Sequence, residues 1–249
     1  DYREFLDRFR RRDSFTRPAG IAPEAARARL TEARQATLTE RESKEVLRCF
    51  GLPVTAERLA RNVDEATAHA REIGTPVALK IESPDIAHKT EAGAVRLNLS
   101  SEAEIRSGYE AILDASRRYS ANATINGVLV QQMAPRGIEM MLGIAADPIF
   151  GPVVAVALGG IHVEVLRDIA YRIAPIDASQ AVAMLRELRA YKLLEGVRGQ
   201  PGRDIDTLAD CIVRLSWLAH DLRDAIADID VNPLLVFERG ALAGDALIV

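Results

Sequence analysis

The chain has 249 residues, a formal net charge of −4, 48% hydrophobic and 27% charged side chains, two cysteines and one tryptophan. That length buries a sizeable core, as one two-lobed domain or two small ones, and the apolar fraction excludes a disordered tail protein. Mild acidity offers no basic field for nucleic acid, no apolar run reaches the roughly 18 residues of a membrane span, and Cys49 and Cys211 match neither a disulfide framework nor a metal-ligand spacing. A soluble cytoplasmic protein without nucleic-acid or membrane partners is expected.

Charge is uneven along the chain. Residues 1–36 hold nine arginines against six acids, and Pro18, Gly20 and Pro23 interrupt polar stretches there. Residues 1–38 therefore read as a basic arm or linker, with order starting at Thr39. Thr39-Glu40-Arg41-Glu42 has the hydroxyl and the later Glu that satisfy free amides at a helix start, and Gly51 and Pro53 stop that helix. A second helix opens at Asn62 and ends near Gly74. Residues 76–81 alternate as a strand, with Val77, Leu79 and Ile81 on one face and Ala78 and Lys80 on the other.

A loop over 82–93 precedes a short strand at 94–99 and a helix from Ser101 to about Arg118. Strands are expected at 127–133 and 138–145. A Pro/Gly turn at 147–152 leads into the apolar run 153–158, then Gly159-Gly160 and a strand around 162–166. Helices are expected at about 178–195 and 205–224, and the chain closes on a hairpin of 226–237 with 241–249. Mixed helices and hairpins, without regular βα alternation, indicate an α+β fold with two sheet-bearing lobes.

Three constellations could carry chemistry. In the last hairpin, Asp228, Asp230 and Asn232 share a strand face, with Ile229, Val231 and Leu235 behind. Asp245 falls opposite residue 234, 233 or 232 for a connecting loop of two, three or four residues. Hard oxygens held this way suit Mg²⁺, while the alternative is a solvated outer face; Pro233 suggests a sheet edge in either case. The second constellation is the segment Ser83-Pro84-Asp85-Ile86-Ala87-His88-Lys89-Thr90 after the Lys80 strand, whose cations, hydroxyls and imidazole suit a phosphate or phosphoryl group. A lone loop histidine can equally be a bystander. In the third, Gly159-Gly160 allows close ligand approach or forms a simple bulge, and His162 with Glu164 could be an acid/base pair.

Together, LTERESKEVLRCFGLPV, PVALKIESPDIAHKTEAGAVRLNL, the stretch from VLVQQMAPRGIEMMLG through VALGGIHVEVLRD, and DIDVNPLLV ending in GDALIV resemble the ATP-grasp domain, or β subunit, of ADP-forming (NDP-forming) acyl-CoA synthetases in the succinyl-CoA synthetase superfamily. The resemblance covers about 38–249 and implies an ATP-grasp domain over 39–249 whose two lobes clasp a nucleotide, the smaller about 58–126 and the larger about 39–57 plus 127–249. By position it matches Lys80 to the family's phosphate-binding lysine and His88 to its phosphohistidine. Asp230 matches an active-site acid, Asn232 and Asp245 match Mg²⁺ ligands, Glu139 and Gln131, Gln132 and Met133 lie near the nucleotide, and Gly159, Gly160 and Glu164 line the phosphoryl-transfer site. ATP or ADP and Mg²⁺ are the implied cofactors. The implied activity relays phosphate through His88 between ADP and a phosphohistidine on a CoA-binding α subunit or fused domain, so the chain would work in a hetero-oligomer or a longer polypeptide. A non-catalytic regulatory module of a protein acetyltransferase is the alternative; an ATP-grasp carboxylate-amine ligase would leave the HKT segment unexplained. One departure is Gly93-Ala94-Val95, where the family usually has Gly-Gly-Val.

Overall fold

A computed structural model describes residues 15–33, 35–86, 88–159, 168–197 and 199–249. Two compact units divide the chain. One comprises 35–43 and 55–135. The other takes the described residues before 34 together with 44–54 and 136–249. Helix α2 (Glu40–Cys49) contributes its first residues to the former and the rest to the latter.

The smaller unit carries strands β1 (Glu57–Ala60), β2 (Val77–Glu82), β3 (Val95–Leu99) and β4 (Gly127–Gln132) in the antiparallel order β1-β4-β2-β3. Helices α3 (Val63–Ile73) and α4 (Glu102–Tyr119) supply Ala66, Ala70, Ile105, Tyr109 and Ile112 to a core with Val77, Leu79, Ile81, Val128 and Val130. Asn62 caps α3 through Glu65, and a Ser101/Glu104 capping box opens α4. Residues 39–43, 55–57 and 127–135 belong here rather than in the larger lobe, to which sequence reading gave them, the last two because β4 pairs with both β1 and β2. Glu82, expected in the following loop, is the last residue of β2.

The larger unit holds β5 (Ile138–Asp147), β6 (Gly151–Leu158), β7 (Ile169–Ile173), β8 (Asp228–Val236), β9 (Ala241–Ala243) and β10 (Leu247–Ile248), with path β10-β8-β5-β6-β7 and β9 also on β8. Helix α7 (Ile205–Asp221) buries Leu208, Ile212, Leu215 and Leu218, packing against β6, β5 and α5 (Ala178–Glu187). The single helix expected at 178–195 is broken: the Asp168 carboxylate accepts the N–H groups of Arg189 and Ala190, and α6 (Tyr191–Glu195) follows separately. The strand expected at 162–166 lies outside the described residues, and β7 went unforeseen.

Order begins before Thr39. Helix α1 (Pro23–Glu32) buries Ala26, the Ala22 N–H donates to the Cys49 carbonyl, and Arg27 pairs with Asp224. The Arg17 guanidinium stacks 5.0 Å from the Trp217 ring centre and pairs with Asp221 at 2.7 Å. Arg17 and Arg27, in the stretch expected as a basic arm or linker, therefore bind acids at the end of α7. Among the described residues, no helix is long and apolar enough to cross a membrane.

Candidate functional site

In the smaller unit, β2 turns Lys80 away from the Val77–Leu79–Ile81 core, as its alternation requires, and the same period places Glu82 beside it. The Lys80 ammonium donates to Glu40 Oε1 at 2.7 Å. Lys89 reaches the other oxygen of the same carboxylate at 3.2 Å. The Glu40 side chain is wholly buried, and the two lysines are only 12% and 13% exposed. Glu40 stands in the first turn of α2, where the helix dipole favours an anion, and the Thr39/Glu42 capping box fixes that turn, with Glu42 accepting the Thr39 N–H at 2.9 Å. Glu82 is equally buried, with Arg41 3.5 Å away; burial pushes its carboxyl up to about 7, against bonding to Thr39 and the charge of Arg41.

The segment after β2 is held by hydrogen bonds of its side chains and main chain. Ser83 accepts the Asp85 N–H, Asp85 accepts the Thr124 N–H, and the His88 carbonyl accepts the Ala92 N–H. His88 is exposed. Gly93 adopts φ 63°, a left-handed conformation that suits glycine, whereas Ala94 is buried at an ordinary φ and donates to the Lys89 carbonyl. The Ala94 departure thus costs no backbone strain. At the end of β4, Gln131 is buried and donates to Thr55 Oγ1 at 2.6 Å, Gln132 is exposed, and Met133 follows the strand.

In the larger unit, Asp228, Asp230 and Asn232 share the exposed face of β8, over buried Ile229 and Val231. The hairpin register pairs Val236 with Ala241 and Leu247 with Asp230, so Asp245 falls opposite Asn232, the four-residue-loop alternative. Two expectations fail at one feature. β8 lies inside the sheet, between β5 and β9/β10, not at its edge. Its register against β5 shifts between Met140 and Leu142, and this bulge accommodates Pro233 and reverses the facing, burying Leu234 and Val236 instead of Leu235. The Asp230 pKa is raised, first by desolvation from the protein around its carboxyl, although much of the residue is solvent-accessible, and second by Asp245. Two neighbouring carboxylates with an amide oxygen suit Mg²⁺, which takes one or two carboxylates and keeps oxygen sites for phosphate and water. Among the described residues no group of three or more His, Cys, Asp or Glu could hold a metal.

Glu139 is exposed on β5, and its carbonyl accepts the Gly159 N–H at 2.6 Å. A side chain at Gly159 would come within 3.0 Å of the Glu139 carbonyl, so this glycine serves close backbone packing. Gly160 and Glu164 lie outside the described residues, as does His162.

An ATP-grasp domain model matches residues 29–249. The chain belongs to the ATP-grasp family. Among ATP-grasp relatives, the β subunit of ADP-forming acetate–CoA ligase I from Pyrococcus furiosus is 42% identical over 218 residues, covering 88% of this chain and 94% of the relative. The ADP-forming 4-hydroxybutyrate–CoA ligase of Nitrosopumilus maritimus is also 42% identical, over 82% of this chain but only 29% of its own length. A structure of the dinucleotide-forming acetyl-coenzyme A synthetase 1 of Ca. Korarchaeum cryptofilum, with coenzyme A, Mg-AMPPCP and its phosphohistidine segment pointing towards the nucleotide site, matches with TM-score 0.79 and 37% identity over 92% of this chain and 99% of that one. The expected α+β ATP-grasp fold and family are thereby established.

Sequence reasoning missed Glu40, Arg41, Glu82 and Lys44. Lys44 is fully buried, and its ammonium donates to the Gly244 carbonyl at 2.9 Å, next to Asp245. For Glu40 and Lys44 the available signal was charge in line with the buried Leu47 on α2, whereas Glu82 lies on the Lys80 face that the apolar pattern turns away from the core, and nothing local marked it.

Proposed function

We propose that this chain is the nucleotide-binding, phosphoryl-transfer component of an ADP-forming acid–CoA ligase: acyl-CoA, ADP and phosphate are interconverted with carboxylic acid, ATP and CoA. His88 relays the phosphoryl group between a CoA-binding partner, a separate subunit or a fused domain, and the nucleotide. What supports the reading most is the exposed His88 immediately before Lys89, whose ammonium shares the Glu40 carboxylate with Lys80.

In this reading, the transfer breaks the P–N bond of phosphorylated His88 and forms a P–O bond to a terminal oxygen of ADP, and the exposed ring takes up one proton from solvent to return as neutral imidazole. Such transfers need positioning and charge neutralisation more than covalent chemistry. Lys80 supplies positive charge at phosphate oxygens, and Gln131, Gln132, Met133 and Glu139 contact the nucleotide. Asn232 and Asp245 would hold Mg²⁺, with Asp230 beside them; the ion, when bound, neutralises polyphosphate charge. Gly159, Gly160 and Glu164 complete the proposed transfer site.

The test is incubation with Mg-ATP labelled at the γ-phosphate, with the CoA-binding partner present. Acid-labile, base-stable label is expected on the wild type and absent from His88→Ala. Label retained by His88→Ala would overturn the reading; nucleotide binding without labelling would instead indicate the regulatory module.

A further inference from the structure

We propose that Glu40 is a positioning residue that ties the His88 segment to Lys80. Its single buried carboxylate bridges two ammonium groups, Oε1 to Lys80 on β2 at 2.7 Å and Oε2 to Lys89 at 3.2 Å. Lys89 is the residue after His88, and its carbonyl is bonded to the Ala94 N–H, so the bridge fixes the main chain that carries the imidazole. The inference rests on the phosphoryl-relay reading for its consequence, while the tie itself stands on geometry.

A carboxylate enclosed among cations is a costly arrangement unless each charge is answered. Here Lys80 and Lys89 answer Glu40, while Arg41 stands 3.5 Å from the buried Glu82. Simple charge counting would make Glu40 a hindrance, because it neutralises one lysine. Its value must therefore lie in geometry: one carboxylate holds both ammonium groups, Lys80 by a hydrogen bond and Lys89 by an ion pair, and their flexible four-carbon stems are ordered before the nucleotide arrives. Pre-paid ordering of this kind speeds group transfer, and a displacement of about 1 Å costs up to about a hundredfold.

Charge counting and positioning predict opposite results for Glu40→Gln. If Glu40 is only a counter-charge, removing it leaves transfer unchanged or faster and tightens ADP binding. If it positions, phosphoryl transfer from the labelled protein to ADP, measured in a single turnover with the partner present, slows by at least about tenfold, and Glu40→Asp recovers part of the rate. Lys89→Gln, which leaves the Glu40–Lys80 pair intact, should lose transfer similarly, and the double variant should be no slower than the worse single one. A transfer rate in either single variant within about threefold of wild type, or fully additive losses, would overturn the positioning role.

A second readout does not depend on phosphoryl transfer. Trypsin cleavage after Lys89 should accelerate by about tenfold or more in Glu40→Gln, because the tie that withholds this residue is gone. Unchanged cleavage overturns the tie. Accelerated cleavage in a protein whose wild type takes no label would leave the tie standing and sink the relay reading instead.

Discussion

Replacing Glu82 with Gln isolates the electrostatic cost built into the smaller unit. The Glu82 side chain is wholly buried at the end of β2, faced by Thr39, Glu40, Arg41 and Lys89. Burial dominates and lifts its pKa from 4.5 to about 7 despite the nearby cations. The folded protein thus holds a proton on Glu82 that the unfolded chain has released between those two values, and stability falls as pH rises through this window. At about 1.4 kcal/mol per pKa step, the gap amounts to about 3 kcal/mol, all present below pH 4.5 and lost above about 7. Glu82→Gln keeps the shape and removes the titration. Urea denaturation followed by far-ultraviolet circular dichroism, for both proteins from about pH 4.5 to about pH 8, should show wild type losing about 3 kcal/mol relative to the variant and then levelling. Parallel curves across that window, or a wild type that gains relative stability as pH rises, would refute the reasoning.

Two further outcomes follow from the geometry. Asp245→Asn should weaken Mg²⁺ binding in the presence of ADP by at least about tenfold in calorimetric titration, since it removes one of two clustered carboxylates; unchanged affinity would exclude Asp245 as a ligand. Gly127→Ala should lower stability by about 1–3 kcal/mol in urea denaturation. Gly127 has φ 148° and a Cβ there would lie 2.5 Å from the Ala60 carbonyl oxygen, so a neutral substitution would contradict that close approach.

Where one physical rule acted alone, the sequence was legible. Strict alternation put Lys80 opposite its strand's core face, and the Thr39/Glu42 pattern marked a helix start that the structure reproduces. Asp228, Asp230 and Asn232 share a face for the same reason. Legibility ended where long-range pairing decided the outcome. Pro233 suggested an edge because proline cannot donate to a ladder, yet a bulge against β5 resolves the conflict inside the sheet. Residues 1–38 read as an arm or linker because no local pattern shows that Arg17 and Arg27 bind Asp221 and Asp224, acids some two hundred positions away. Glu40 was hidden similarly: local pattern gave the helix start to Thr39 and Glu42, and only the fold of the smaller unit brings Lys80 and Lys89 to the Glu40 carboxylate.

The most direct test of the account follows labelled phosphate out of the protein. Wild-type chain labelled from γ-labelled Mg-ATP is freed of nucleotide and mixed with unlabelled ADP and Mg²⁺. Acid-labile label should leave the peptide containing His88 and appear in ATP. Label that stays on the protein, maps to another residue, or emerges only as inorganic phosphate would contradict the relay.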